Sequence, residues 1–196
     1  MIEMEHYYKT VGEDWFTYPK LYSGAVKYFP SGSKFVEIGS WKGRSSVYLG
    51  VEVINSAKDI EVICVDTWLG SVEHQGMDIL DEDGLYKEFM HNIEPVSSVV
   101  TWMRMESLKA ADEFDDFSLD FVFIDASHDY ENVIADIIAW YPKVKEGGVI
   151  AGHDYPTWAG VKKAVNEYFK WNEIVSKESC WIHQVGKKKD FYRVLR

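Results

Sequence analysis

The chain has 196 residues, with 32 acids against 21 Lys and Arg, a formal net charge of −11 and 46% hydrophobic residues. That length suits one α/β domain with a sizeable core, and so acidic a chain is repelled by nucleic acid, so no nucleic-acid partner is expected. No apolar run is long enough to span a bilayer and no early one resembles a signal peptide. Cys64 and Cys180, the only cysteines, offer neither a disulfide framework nor a zinc pattern, so the expectation is a cytoplasmic protein with no membrane partner.

Residues 1–32 read as a leading helical segment. Trp15, Tyr18, Tyr22, Ala25, Val26 and Phe29 lie close to helical spacing, and Pro19 suits a first helical turn. Phe35, Val36 and Ile38 then form a short buried strand, Gly39 and Gly43 bracket a turn, and Ser45 and Ser46 continue into a helix to about Ser56. A second strand, Glu61 to Val65, ends at Asp66. Thr67 to Gly84 is a long connection, and loops of that length usually serve function. A helix follows from about Asp83 to Ile93, stopping before Pro95. Ser98 to Met103 is a third strand, Ser107 to Phe114 a short helix, and Leu119 to Ile124 a fourth strand ending at Asp125. Tyr130, Val133, Ile134, Ile137, Ile138 and Tyr141 mark an amphipathic helix. Gly147-Gly148 turns into a fifth strand, Val149 to Ala151, and a helix runs from about Trp158 to Trp171. In the tail, Cys180 to Val185 and Phe191 to Leu195 read as an antiparallel hairpin. Its Gly186-Lys187-Lys188-Lys189 turn is a solvated corner rather than a phosphate-binding patch.

Strands alternating with helices imply a Rossmann-like three-layer α/β/α sandwich, mostly parallel, with an antiparallel C-terminal strand or hairpin. A single domain is expected over 1–196: the leading segment, a cofactor-binding core over 33–155, and a C-terminal helix with edge strands over 156–196. Ligands bind at the carboxyl edge of such sheets, and the strand ends carry the chain's chemistry. Glu37 is an acid near the end of a buried strand. It either accepts hydrogen bonds from the turn or anchors an ammonium group at the mouth. Asp66 suits the paired ribose hydroxyls of an adenosine, with Trp68 two residues on to pack against adenine; NAD-binding proteins share this arrangement. Glu106 or Ser107 suits the exocyclic amine of adenine, and Ser107 equally suits a helix N-cap.

The stretch Glu37-x-Gly39-x-x-x-Gly43 resembles the first motif of the class I S-adenosylmethionine-dependent methyltransferases, with Trp41 where the common form has a further glycine. Ile124-Asp125-x-x-His128-x-Tyr130-Glu131 and Gly147-Gly148-Val149-x-x-Gly152-His153-Asp154-Tyr155 resemble a subfamily containing small-molecule and sugar O-methyltransferases and relatives grouped with cephalosporin hydroxylases. Val36-Glu37-Ile38-Gly39-Ser40-Trp41 and Val65-Asp66-Thr67-Trp68-x-Gly70-Ser71 match it too, so the resemblance runs from Phe35 to Tyr155. It implies S-adenosylmethionine bound by Glu37, Gly39, Ser40, Trp41, Gly43, Ser45, Asp66, Thr67, Trp68, Glu106, Ser107 and Asp125. It implies His128 as general base, with Asp125 and Asp154 beside it. Asp125, His153 and Asp154 would be ligands of a divalent cation. His153 replaces an acid of the macrolide-sugar enzymes, and imidazole suits zinc, iron or manganese better than magnesium. The expected partner is a small-molecule or sugar acceptor, with a homo-oligomer as a further candidate. Two alternatives remain at this level: a nicotinamide-dependent oxidoreductase, whose Gly-x-Gly-x-x-Gly turn is missing, and a catalytically silent S-adenosylmethionine-binding module.

Overall fold

Strand β1 (Ser33–Ile38) is buried at five of its six positions, as its apolar run requires, because a strand covered on both faces has no solvated side. In the computed structural model, which describes residues 3–71, 74, 76–170, 172–187 and 189–195, β1 is an interior strand of a seven-stranded sheet. It pairs in parallel with β2 (Ile60–Asp66) on one side and β4 (Leu119–Ile124) on the other. Strand β3 (Val100–Arg104) adds to β2 and β5 (Val144–Gly152) to β4, both in parallel. Beyond β5, β7 (Cys180–Gln184) runs antiparallel, and β6 (Val175–Lys177) pairs antiparallel with β7 at the edge. The order is β3-β2-β1-β4-β5-β7-β6, so the chain reverses direction across the sheet between β1 and β4. Such a switch point opens a crevice at the carboxyl edge.

Alternation along each strand sorts the core into two layers. Phe35, Val62, Cys64, Phe121, Phe123, Val149 and Ala151 face α1 (Pro19–Tyr28), α2 (Arg44–Ser56) and α3 (Gly84–Ile93). Val36, Ile38, Ile63, Val65, Val122, Ile124 and Ile150 face α4 (Ser107–Ala111), α5 (Tyr130–Trp140) and α6 (Ala159–Tyr168). Register places the functional strand ends. Ile38 lies opposite Val65 and Ile124, and Ile124 opposite Gly152. The next residues, Gly39, Asp66, Asp125 and His153, therefore leave the sheet at one level.

The tail departs from expectation. The hairpin is β6–β7, joined through Glu178 and Ser179, whose φ of +51° and +64° fit a two-residue turn matched to strand twist. Phe191–Arg193 is a single 3-10 turn instead of a strand. The Gln184 side chain explains this: its Nε2 donates to the Gly147 carbonyl and Tyr28 Oη, and its Oε1 accepts from the Phe191 amide. The chain is thereby pulled back over β7, and Phe191 is buried against Tyr28 and Phe29. Of the basic run, Lys189 Nζ donates to the Gln184 carbonyl and Lys188 lies outside the described residues. Helix α6 ends at Tyr168, with the expected end at Trp171 outside the described residues. Strand β5 starts earlier than expected, at Val144, and carries Gly147-Gly148 as an irregularity: Leu119 faces Val144 but Phe121 faces Val149.

Candidate active site at the carboxyl edge of the sheet

The turn after β1 is shaped by its neighbours. Gly39 has φ +85°, and a Cβ there would lie 2.2 Å from the Asp125 carbonyl oxygen, so only glycine fits where β1 and β4 part. Trp41 takes φ +49°, a conformation that a bulky residue adopts only when held. Asp66 holds it: Oδ2 accepts the amides of Ser40 at 2.9 Å and Trp41 at 3.0 Å, and Oδ1 accepts the Trp68 amide at 2.8 Å. Burial pushes the Asp66 carboxyl up, and these amides oppose the shift. Thr67 Oγ1 accepts from the Leu69 amide, and Gly43, at φ +84°, opens α2, in which Ser45 is buried.

Two expectations change at this turn. Trp68 is 1% exposed, its indole donating to the Trp41 carbonyl at 2.9 Å and packing on Phe89. Its φ of +53° turns it into the α2–α3 layer, so it shapes the loop and presents no face to an adenine. Glu37 is also 1% exposed and lies beneath the turn rather than at its mouth. It accepts from Tyr22 Oη at 2.7 Å, Ser40 Oγ at 2.8 Å and Ser46 Oγ. Burial pushes its carboxyl up, and the hydroxyl donors oppose that. So enclosed, it braces the turn and offers no oxygen to an ammonium group.

Four residues meet beyond β4 and β5. Asp125 Oδ2 accepts from Tyr18 Oη at 2.9 Å. His153 Nδ1 lies 3.6 Å from Asp125 Oδ1 and 3.3 Å from Asp154 Oδ2, and its Nε2 is 2.9 Å from Thr17 Oγ1. Burial alone would lower the His153 pKa, but the two carboxylates outweigh it and push it up to about 10. His128 Nε2 is 2.9 Å from Asp154 Oδ2, and the ring stacks on Trp158 with centroids 4.3 Å apart and planes 11° apart. Burial would raise the Asp154 carboxyl, yet hydrogen bonds from His128 and His153, with the His153 charge, hold it well below the usual carboxylate range. Thr157 Oγ1 donates to Asp154 Oδ1 at 2.9 Å, fixing a residue whose own φ is +60°.

One ligating atom each from Asp125, His128 and Asp154 falls within 4.8 Å of the others, close enough for a single ion. His128 stands in this group beside the two expected acids, and His153, the expected third ligand, has its Nδ1 3.6 Å and 3.3 Å from the same carboxylates. Two carboxylate oxygens and an imidazole suit zinc, iron or manganese better than magnesium.

Residues after β3 are further from this chemistry. Glu106 is exposed and pairs with Lys109 at 2.9 Å. It is also the N-cap of α4, so Ser107 is not. Ser107 Oγ donates to Asp136 at 2.6 Å and accepts from the Trp140 indole at 2.9 Å, tying α4 to α5. Burial pushes Asp136 up to about 6.

The sequence reading missed Thr17, Tyr18, Tyr22 and Trp158. Tyr18 and Tyr22, one helical turn apart, each bring a phenol into a strand-end carboxylate; that spacing was visible, but their partners lie 107 and 15 residues away. It also missed Glu13, which accepts from Trp41 Nε1 at 3.0 Å and Lys42 Nζ at 2.8 Å. Over this link Trp15, Trp41 and His74 cluster, with Trp41 and His74 centroids 4.2 Å apart.

A strand–glycine turn–helix at the switch point, an acid after β2 and a His–Asp pair after β4 and β5 occupy one stretch of the chain. Over residues 36–155 that stretch matches the profile of a family described as methyltransferase domain. The chain belongs to this family. Its members use S-adenosylmethionine as methyl donor. Uncharacterised protein y4gI of Sinorhizobium fredii is 31% identical over 121 residues, covering 62% of this methyltransferase-family chain. The match spans only 13% of that relative's length. Among solved structures, the O-methyltransferase NovP superposes with a TM-score of 0.66 at 18% identity, covering 86% of this chain and 78% of NovP. CalS11, a TDP-rhamnose 3′-O-methyltransferase of calicheamicin biosynthesis, gives 0.56 at 13% identity, covering 85% and 76%. The cofactor-bound Rv0187 protein from MTB gives 0.59 at 16% identity, covering 89% and 81%. At these identities the structures share the fold, a class I methyltransferase sheet. No helix among the described residues is long and apolar enough to cross a membrane.

Proposed function

We propose that the chain transfers the methyl group of S-adenosylmethionine to a hydroxyl of a small molecule or sugar, with His128 as general base. The observation that carries this reading is the 2.9 Å contact between His128 Nε2 and Asp154 Oδ2. The sulfonium of the cofactor needs little activation; the acceptor needs its proton removed as its oxygen attacks in line. An imidazole that donates Nε2–H to Asp154 has Nδ1 as its basic nitrogen. The Asp154 carboxylate, held in its charged form, then stabilises the imidazolium that results. Gly39, Ser40, Trp41, Gly43 and Ser45 would cradle the methionine part. Asp66 and Thr67 would take the ribose, since Asp66 Oδ1 accepts one amide and keeps a lone pair, whereas Oδ2 spends both of its own on Ser40 and Trp41. Glu106 would reach the adenine. The O-methyltransferases NovP and CalS11 share the fold and favour oxygen as the acceptor atom.

A second reading rests on the ligating distances among Asp125, His128 and Asp154. These residues would hold a divalent ion, which would supply Lewis-acid stabilisation of the acceptor's alkoxide. The two readings part on variants. His128→Ala should leave S-adenosylhomocysteine affinity within about twofold and lower turnover by roughly 10²–10⁴-fold, the usual share of a general base. A chelator should leave wild-type turnover unchanged. Unaltered turnover in His128→Ala would remove it from the mechanism. Chelator-sensitive turnover, with Asp125→Ala the most damaging change, would favour the metal.

A further inference from the structure

Resting on the methyl-transfer reading, the charge and aromatic surface around His128 narrow the acceptor. In the loops that follow the parallel strands (39–43, 67–83, 105–106, 125–129 and 153–158), Lys42 is the sole Lys or Arg, among many acids. Its Nζ is held by Glu13 at 2.8 Å and Glu88 at 3.5 Å, and the side chain is 14% exposed. The cations that flank these loops are also in ion pairs: Arg44 with Asp14, Arg104 with Asp83 and Lys109 with Glu106. Lys162 and Lys163 stand in the first turns of α6, the latter over the Tyr130 ring. At the centre, His153 is shared between two carboxylates. A phosphate or carboxylate brought to His128 would meet Asp125, Asp129 and Asp154, with no Lys or Arg of these loops left out of an ion pair to receive it.

The aromatic surface points the same way. Trp158 gives one ring face to His128 and is 43% exposed. An acceptor hydroxyl within reach of His128 therefore brings the rest of its molecule beside that indole. Trp15, 51% exposed, stands two residues from Thr17, which touches His153. Flat apolar rings flanking a few polar groups are how proteins hold ring compounds through their C–H or π faces.

We propose that the acceptor is an uncharged, hydroxyl-bearing ring compound that lies against Trp158, and that acceptors carrying phosphate, such as nucleotide-linked sugars, are rejected. The specificity thus differs from that in the name of CalS11, which acts on TDP-rhamnose. The test uses the full chain, S-adenosylmethionine labelled in its methyl group and a metabolite extract of the source cells, with the unreacted cationic donor first removed on a cation exchanger and the remaining products passed over an anion exchanger. Label should emerge in the unretained fraction, at least tenfold above the retained one. Label that is retained, and is released by phosphatase, overturns the proposal while leaving methyl transfer standing. Label in neither fraction overturns the methyl-transfer reading, and this inference with it. With the unretained fraction as acceptor, Trp158→Ala should raise the apparent KM at least tenfold, and Trp158→Phe should stay within about threefold of wild type. S-adenosylhomocysteine affinity, measured by calorimetry, should be unchanged in both. A fall in kcat with KM unaltered would make Trp158 only a support for the His128 ring and overturn its place in acceptor binding.

Discussion

Replacing His153 with Gln removes a cation from between two carboxylates, and the structure sets the size and pH dependence of the loss. Nδ1 lies 3.3 Å from Asp154 Oδ2 and 3.6 Å from Asp125 Oδ1, and the side chain is 10% exposed, so solvent screens little. Burial works against the charge, but the carboxylates overcome it and move the pKa from 6.5 to about 10. A raised folded-state value means that the native state holds the proton more tightly than the unfolded chain. The stabilisation is fully present below pH 6.5 and is lost as pH rises towards 10. At 1.36 kcal/mol per unit, the whole shift has a ceiling of about 4–5 kcal/mol, and the interaction is shared with Asp154. We therefore expect wild type to exceed His153→Gln by about 2–3 kcal/mol at pH 6.5, and the gap to shrink by at least about 1 kcal/mol by pH 9. Urea unfolding across that range, with a chelator present, reads the difference directly, because lysines and tyrosines elsewhere cancel between the two proteins. A gap that stays constant with pH would refute the charge assignment of His153.

Glu37→Gln should cost about 1–3 kcal/mol, because an amide nitrogen then faces hydroxyls that now donate to a carboxylate. Equal denaturation midpoints would count against the brace. Asp136→Asn should stabilise by about 1–3 kcal/mol at pH 7.5, since burial raises this acid from 3.8 to about 6 and the native state bears the cost of its charge. The sign is specific: stability from this group is greatest below 3.8 and falls as pH rises through about 6, so the variant should flatten the profile across that interval. A variant less stable than wild type at pH 7.5 would show that the hydrogen bond from Ser107 outweighs burial.

The parallel half of the sheet was legible because each strand is a short apolar run with a polar or glycine stop. One register then brings Gly39, Asp66, Asp125 and His153 to the same level. The tail was not, because its path depends on one side chain: Gln184 spends both amide atoms on backbone and turns a strand-like run, Phe191 to Leu195, into a cap. Trp68 shows a second limit. A tryptophan two residues past a strand can point to the mouth or into the core, and only the φ of +53° decides for the core. Which histidine lies closer to Asp154 was equally beyond local pattern. His128 and His153 arrive from different strand ends, and the left-handed turn at Asp154 sets which ring its carboxylate meets closest.

The leading segment gains a role from this geometry that no motif in it suggested. The family match begins at residue 36, yet the groups on the matched stretch are held from outside it. Tyr22 donates to Glu37, Tyr18 donates to Asp125, Thr17 meets His153, and Glu13 accepts from Trp41 and Lys42. These contacts span the glycine turn and, in the His–Asp cluster, Asp125 and His153, so residues 13–22 act as a clamp across the switch point. Each is a modest interaction, about 0.5–1.5 kcal/mol net for a hydrogen bond and more where a charge takes part. Their arrangement matters more than their sum. Tyr22 is buried on α1 and Tyr18 is buried at its N-cap, and the helix packs its apolar face into the sheet, so both phenols are fixed by the seating of α1. Thr17 and Glu13 precede that helix, and their contacts to His153, Trp41 and Lys42 do not depend on its packed face. The clamp is therefore seated by the helix at Glu37 and Asp125, where the strands part, and by the preceding loop at His153 and Trp41.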